Sequence, residues 1–311
     1  MSSDPNNLIG PTDLHLLDEG RHLQIHHHLG AHADDDQGVI FAVWAPAATA
    51  VSVVGDWNWW GRDADPLARA HGGGVWAGSV ADAREGHRYK FDIAGPDGTV
   101  VEHADPVAFR CEPAPATASI VHRSRYRWND DDWLASRDDG DFLARPLSIY
   151  EVHLGSWRRD PNEPDRERGF REVAHELADY VVDLGFTHVE LMPVMSHPFA
   201  GSWGYQVTSY FAPAARWGDP DDLRYLIDTL HQAGVGVLLD WVPAHFPKDE
   251  WALGRFDGTP LYEHPDPRRG EHPDWGTYEF NFERGGVRSF LLSNARFWLD
   301  EYHVDGLRVD A

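Results

Sequence analysis

The sequence has 311 residues, 42% hydrophobic and 12% aromatic, which is enough for two domains or one large barrel with packed cores. A formal net charge of −24 repels nucleic acid and anionic membranes, and no apolar run approaches the roughly 18 residues of a membrane helix. The only cysteine, Cys111, and an N-terminus that lacks the basic and apolar parts of a secretory signal favour a cytoplasmic protein.

The first third of the sequence divides into a polar segment and a β-rich domain. Residues 1–35 are mostly polar, with a short amphipathic stretch over 14–20. Residues 36–124 contain apolar or alternating runs, such as 39–44, 50–55 and 89–94, separated by glycine-rich and aspartate-rich turns. Short, evenly spaced strands of this kind predict an immunoglobulin-like β-sandwich.

After a linker over 125–147, strands and helices alternate through residues 148–311. Helix 219–234 has the clearest start, with Asp219 as N-cap and Pro220 in the first position. Helical spacing also predicts helices over 170–185 and 287–298, and apolar runs predict strands over 148–154, 187–192, 235–240 and 304–310.

This alternation indicates a parallel sheet, which could be doubly wound or part of a (β/α)8 TIM barrel. No glycine-rich phosphate loop follows any predicted strand, which argues against a nucleotide-binding sheet. The polar residues gather at the carboxyl ends of the strands, where barrel enzymes place their sites. We therefore predict the first half of a barrel, with four strands.

The last predicted strand carries an arginine and an aspartate on one face. Side chains alternate along a strand, so Arg308 and Asp310 face the same way. The guanidinium favours the ionised carboxylate, and an ionised carboxylate at a strand end is what a covalent glycosidic nucleophile requires. A structural ion pair is the alternative, and for an isolated pair of this kind it is favoured by roughly three to one.

Neighbouring strand ends supply more polar groups. Asp240 ends the third strand, His245 follows on the adjoining loop, and Tyr205 lies in an aromatic and glycine-rich stretch after the second. Carboxylates, a histidine and aromatic side chains suit a neutral, polyhydroxylated ligand. Nothing in this set indicates a metal or a cofactor, and we expect neither. His26-His-His28 lacks an accompanying carboxylate pattern, so we expect these histidines to be solvated.

Several sequence strings resemble glycoside hydrolase family 13, the α-amylase superfamily. Asp240-Trp-Val-Pro-Ala-His245 is similar to its first signature region and Gly306-Leu-Arg308-Val-Asp310 to its second. Strings beginning at Tyr150, His197 and Phe256 resemble bacterial 1,4-α-glucan (glycogen) branching enzymes. In the N-terminal part of the chain, the strings Leu29-Gly-Ala-His, Phe41-Ala-Val-Trp-Ala-Pro and Gly55-Asp-Trp-Asn resemble a family 48 carbohydrate-binding module.

The resemblance implies roles for five residues. Asp310 would be the nucleophile and Arg308 would position it, while Tyr205, Asp240 and His245 would hold the glucosyl unit at the cleavage site. The acid/base glutamate and the second aspartate of the family lie after the fourth strand, so we expect the 311 residues alone to be inactive. The implied partner is an α-glucan such as glycogen or amylose.

Two other functions remain open from the sequence. One is a related family 13 hydrolase that acts on maltooligosaccharides and forms trehalose, and the other is a non-catalytic glucan-binding protein. In the β-rich domain, Trp57, Trp59 and Trp60 could stack on glucan or pack a turn. The sequence does not indicate the oligomeric state of a complete enzyme, but half a barrel leaves two strand edges unpaired, so we expect the barrel part alone to be poorly soluble or to oligomerise.

Overall fold

The computed structural model describes residues 9–34, 38–137 and 144–311. Its N-terminal domain is a sandwich of two antiparallel sheets. One sheet has the order β1-β2-β5-β4, and the other has the order β3-β6-β7 with β8 paired to β6. The strands are β1 (Gly30–Asp34), β2 (Gly38–Trp44), β3 (Ala50–Gly55), β4 (Ala68–Arg69), β5 (Val75–Val80), β6 (Arg88–Ala94), β7 (Val100–His103) and β8 (Ser119–Ile120).

Aromatic rings from both sheets fill the space between them. Phe41 on β2 lies edge-on to Tyr89 on β6, with 5.0 Å between ring centroids, and Phe91 is fully buried beside them. Alternation along β2 and β6 brings these side chains to the inner faces, as aligned sheet packing requires. The predicted sandwich is confirmed.

The second domain is built on a parallel sheet with the order β9-β10-β13-β17. Chain order and spatial order agree, which is the arrangement of successive strands in a (β/α)8 barrel. The strands are β9 (Ile149–Val152), β10 (His188–Leu191), β13 (Gly236–Trp241) and β17 (Gly306–Val309). The predicted half barrel of four strands is thereby confirmed.

Helices and smaller sheets surround these strands. The helices are α1 (Pro11–Glu19), α2 (Asp131–Arg137), α3 (Phe170–Asp183), α4 (Pro220–Gln232), α5 (Pro267–Gly270) and α6 (Gly285–Glu301). Two loop sheets contain the pair β11 (Met195–Ser196) and β12 (Ser209–Pro213), and the set β14 (His245–Pro247), β15 (Glu271–His272) and β16 (Thr277–Glu279). None of the helices in the described ranges is both long and apolar enough to cross a membrane.

Helix α4 begins as its sequence predicts. The Asp219 side chain accepts hydrogen bonds from the backbone N–H groups of Asp221 and Asp222 at 3.0 and 3.2 Å. The Asp222 side chain in turn accepts the backbone N–H of Asp219 at 3.1 Å, which completes a capping box. The negative charges of Asp221 and Asp222, in the first turn, also interact favourably with the positive end of the helix dipole.

The segment before the sandwich packs on the barrel helix α6. The Ser289 side chain accepts the backbone N–H of His22, and that of Ser293 accepts the backbone N–H of Ile25. The histidine ring that follows, His26, is 3% exposed and lies against Phe211 and Phe297. The prediction that His26-His-His28 is solvated is therefore wrong for His26, because a polar sequence still docks when its backbone groups find partners on α6.

The sandwich and the barrel share one continuous core. Two hydrogen bonds connect the domains. The Asp257 carboxylate accepts the backbone N–H of Ala47 at 2.9 Å, and the buried His103 ring is hydrogen-bonded to the Ala252 carbonyl at 2.9 Å. Trp44 on β2 lies edge-on to the buried Tyr262 of a barrel loop. The two domains therefore hold each other in place.

We predict that the 311-residue chain self-associates through its sheet edges. Among the described residues, β9 and β17 each pair on one side only, and their Ile149 and Val309 side chains are 38% and 61% exposed. Unpaired edges with apolar side chains recruit further strands. Light scattering after size exclusion should detect dimers or larger species at tens of micromolar.

The double variant Ile149→Lys/Val309→Lys should shift this distribution towards monomer, because charge blocks edge pairing. Val182→Lys serves as the control, since Val182 is an exposed apolar residue on α3 and away from the sheet edges. A monodisperse monomer of the unmodified chain would contradict the prediction.

Candidate active site

Strand register brings the predicted site residues together at one rim of the barrel sheet. Asp240 on β13 lies opposite Arg308 on β17, and the backbone N–H of Asp310 donates to the Trp241 carbonyl at 2.9 Å. The Trp241 indole points away from the barrel, where it donates to Asn294 of α6. Because successive side chains alternate, Asp240 and Arg308 face the barrel interior.

Arg308 joins the two aspartates of the rim. Its Nη1 lies 3.1 Å from Asp240 Oδ1 and also donates to Asp310 Oδ1. The Tyr205 hydroxyl donates to Asp240 Oδ2 at 2.7 Å, so both oxygens of this carboxylate are engaged. The Asp240 side chain is fully buried, whereas those of Asp310 and Arg308 are 22% and 44% exposed. The Asp310 carboxylate is therefore accessible to solvent, whereas the Asp240 carboxylate is not.

Burial and pairing act in opposite directions on the Asp240 carboxyl. Burial raises its pKa, while the Tyr205 hydroxyl and the Arg308 guanidinium partly offset this effect by favouring the ionised form. The pKa of Tyr205 is raised by burial and by its hydrogen bond to Asp240, so the phenol remains a donor. The hydrogen bond to Asp310 raises the pKa of Arg308, so the guanidinium remains charged.

His245 lies at the same rim without a hydrogen bond to either aspartate. Its ring is buried next to the contacting rings of His272 and Trp275, with centroid distances of 6.1 and 5.2 Å. Burial lowers the pKa of His245, and neighbouring His272 lowers it further, whereas Asp310 opposes the shift. A neutral imidazole here can accept or donate a hydrogen bond to a hydroxyl.

Residues outside the predicted set also face this site. Glu190 on β10 pairs in register with Leu238, and burial followed by repulsion from Glu151 raises the pKa of Glu190. The alternation that placed Asp240 inside the barrel also applies to 187–192 and could have identified Glu190. The exposed Trp275 belongs to a loop, and no strand periodicity indicated its position beside His245.

The rim and the candidate metal-donor clusters occupy different parts of the fold. In the described parts of the chain, the close groups of three or more metal-donor side chains lie elsewhere, at Asp13, His22 and His28, and at His26, His27 and Glu301. At the rim, one guanidinium is shared between two carboxylates, and the exposed ring of Trp275 lies against His245.

Comparisons with known proteins match both domains. The family model for carbohydrate-binding module 48 (isoamylase N-terminal domain) matches residues 28–108, and the model for the alpha amylase catalytic domain matches residues 171–256. A crystal structure of a Salmonella typhimurium protein assigned as an alpha amylase superposes with a TM-score of 0.71 at 28% identity, covering 91% of this chain and 43% of that one.

Curated relatives match almost the whole sequence. The chain is 57% identical over 310 residues to the 1,4-alpha-glucan branching enzyme GlgB of Nocardia farcinica, and 55% identical over 311 residues to that of Frankia casuarinae. These matches cover 97% of this chain but only 41% and 37% of the relatives. The chain thus spans about two fifths of the curated relatives it matches, and the resemblance indicated by its motifs is confirmed.

We predict that Arg308→Met lowers the free energy of unfolding by about 1–3 kcal/mol at pH 7, because it leaves the buried Asp240 carboxylate with one partner. The pKa of Asp240 in the folded chain lies above its unfolded value, so its contribution to stability falls as pH rises between the two. Without Arg308, the pKa of Asp240 in the folded chain rises further, so the pH range over which stability falls extends upwards. Denaturant unfolding should therefore show a smaller loss at pH 4 than at pH 7.

Arg296→Met is a matched control, because the Arg296 side chain is also 44% exposed but its partner Asp300 is exposed too. That variant should change stability by no more than about 0.5 kcal/mol. Equal losses for the two variants would mean that the burial of Asp240 is not the cause.

Proposed function

We propose that this chain, which combines a carbohydrate-binding module 48 with part of an alpha-amylase catalytic domain, acts in a 1,4-α-glucan branching enzyme. Its similarity to curated branching enzymes along 97% of its length supports this choice. The proposed reaction cleaves an α-1,4 link and transfers the released chain to a glucose 6-hydroxyl, which forms an α-1,6 branch.

Asp310 is the proposed nucleophile. The observation that carries this assignment is the contrast in access: Asp310 is partly exposed beside Arg308, whereas Asp240 is fully buried with both oxygens engaged. In the first step an Asp310 oxygen bonds to the anomeric carbon, the bond to the leaving O4 breaks, and O4 takes a proton from an acid. In the second step the acceptor 6-hydroxyl replaces Asp310 and loses its proton to the same group.

The acid/base glutamate of the family, which the resemblance places after the fourth strand, donates the proton in the first step and accepts one in the second. Retention requires that carboxyl within about 5–5.5 Å of the nucleophile. These 311 residues therefore supply the nucleophile and its positioning arginine but depend on further sequence for turnover.

The remaining rim residues are proposed to hold the glucosyl unit next to Asp310. His245, kept neutral by burial, can bond a sugar hydroxyl, and Tyr205 and Asp240 form the adjoining polar wall. Their mutual hydrogen bond fixes both side chains before substrate arrives, which is the preorganisation that fast chemistry needs. We also propose a cytoplasmic location, which fits the single, buried Cys111.

The sandwich is proposed to bind α-glucan through Trp59. Trp57 packs inwards, with its indole N–H bonded to Asp65 at 2.8 Å and its ring stacked on Phe41. Trp59 instead is 91% exposed, so turn packing does not explain its large apolar ring. An exposed indole face offers a flat apolar surface for the C–H face of a sugar ring.

A chimera tests the enzymatic proposal. We expect the 311 residues alone to give no turnover in an iodine–amylose assay. Joined to the part of the Nocardia farcinica relative that follows the aligned region, they should branch amylose, and digestion with an α-1,6-specific debranching enzyme should release the new chains. Asp310→Asn in the chimera should lower the rate by at least about 10⁴-fold, because removing a nucleophile leaves only binding and electrostatic effects.

Asp179→Asn is the control for the chimera, since Asp179 is an exposed residue of α3 rather than of a barrel strand. That variant should keep the parent rate. Release of trehalose instead of branched glucan would favour the related hydrolase, and an unchanged rate in Asp310→Asn would refute the nucleophile assignment.

A second experiment tests the sandwich. Trp59→Ala should abolish most of the retardation of the chain in native gels containing glycogen, because stacking on an exposed ring is lost. Trp59→Phe keeps an aromatic face and should retain intermediate retardation. Equal mobility of Trp59→Ala and the unmodified chain across a range of glycogen concentrations would contradict a role for Trp59.

A further inference from the structure

A cavity of about 200 Å³ lies between the N-terminal segment, the sandwich and helix α6. Its walls carry an unusual number of imidazoles for one small space, together with aromatic rings and one carboxylate. The imidazoles are those of His26, His27, His32 and His122, and the carboxylate is that of Glu301. The cavity is separate from the rim that holds Asp240 and Asp310, and the proposed reaction uses none of these groups.

The His26 ring has unmet hydrogen-bonding capacity. The residue is 3% exposed, and neither ring nitrogen has a hydrogen-bond partner among the residues that the structure describes. A neutral imidazole carries one N–H and one lone pair, and leaving both unpaired in a buried site is unfavourable. A bound ligand at this ring would remove that cost.

Three donor side chains converge next to this ring. His26 and His27 come from a short 3-10 helix, Ile25–His27, and Glu301 is the last residue of α6. Each offers one ligand atom, and these atoms all lie within 4.8 Å of one another. The Glu301 carboxylate is contributed from the far end of the sequence, which is why no pattern near His26 could reveal it.

We propose that His26, His27 and Glu301 bind one divalent transition-metal cation of the zinc class. Two imidazoles and one carboxylate are a known zinc donor set that leaves a fourth position for water. The cavity beside the donors provides room for that water. Such a cation joins the N-terminal segment to the end of α6.

The arginine side chains near the cluster are paired with carboxylates. Arg296 binds Asp300 at 2.6 Å, and Arg224, which lines the cavity, binds Asp221 at 3.1 Å. These carboxylates offset the positive charge that a divalent ion would otherwise meet.

A second group of donors, Asp13, His22 and His28, is a poorer candidate. The His22 Nδ1 accepts the backbone N–H of Gln24 at 3.2 Å, so a neutral ring carries its proton on Nε2. That protonated nitrogen lies 3.3 Å from Asp13 Oδ1. His22 thus has no lone pair to offer at this position.

Zinc titration of the 311-residue chain against a chromophoric chelator tests the proposal. We expect one equivalent to bind with a dissociation constant in the micromolar range or tighter. His26→Ala and Glu301→Gln should each weaken binding at least tenfold. Cobalt(II) should replace zinc and give the visible absorption of a four-coordinate site, and Glu301→Gln should change this spectrum.

Two variants serve as controls. His15→Ala removes an exposed histidine of α1, and His28→Ala disrupts the second donor group, so neither should change the affinity. Glu301→Gln keeps the shape of the side chain, so its result stands even if His26→Ala unfolds the chain. The proposal is refuted by less than one equivalent bound at saturating zinc, by unchanged affinity in Glu301→Gln, or by loss of binding in His28→Ala alone.

Discussion

The buried carboxylate of Asp240 is the constraint on which the rim of the barrel depends. A carboxyl group that is removed from solvent needs hydrogen-bond partners. Here the Tyr205 hydroxyl and the Arg308 guanidinium are those partners. Each partner comes from a different part of the chain. Satisfying Asp240 therefore fixes the loop after β10 and the strand β17 relative to β13.

The rest of the fold supports that arrangement. Parallel register places Asp240 opposite Arg308, and the outward Trp241 is anchored to Asn294 on α6, which prevents β13 from rotating its side chains between faces. Helix α6 is in turn covered by the N-terminal segment through Ser289 and Ser293. The sandwich is continuous with the same core, so the rim is set by contacts from the whole chain.

Sequence alone predicted the elements with strong periodicity. The four parallel strands, the capped start of α4 at Asp219 and the grouping of Tyr205, Asp240, Arg308 and Asp310 follow from alternation, capping chemistry and motifs. The burial of His26 and its approach to Glu301 were not predictable, because both depend on how distant segments pack. The strand alternation that identified Asp240 could also have identified Glu190, but Glu190 belongs to no recognised motif.

Asp240 and Asp310 share the Arg308 guanidinium but differ in their proposed roles. Asp240 cannot reach a substrate carbon while both of its oxygens are engaged out of solvent, but it holds Arg308 in place. Arg308 then orients Asp310, whose own side chain is partly exposed. The direction of the accessible carboxylate is thus determined by a buried group rather than by a solvated loop. A site positioned in this way would require little rearrangement to bind the proposed sugar substrate, because the ordering cost is met during folding.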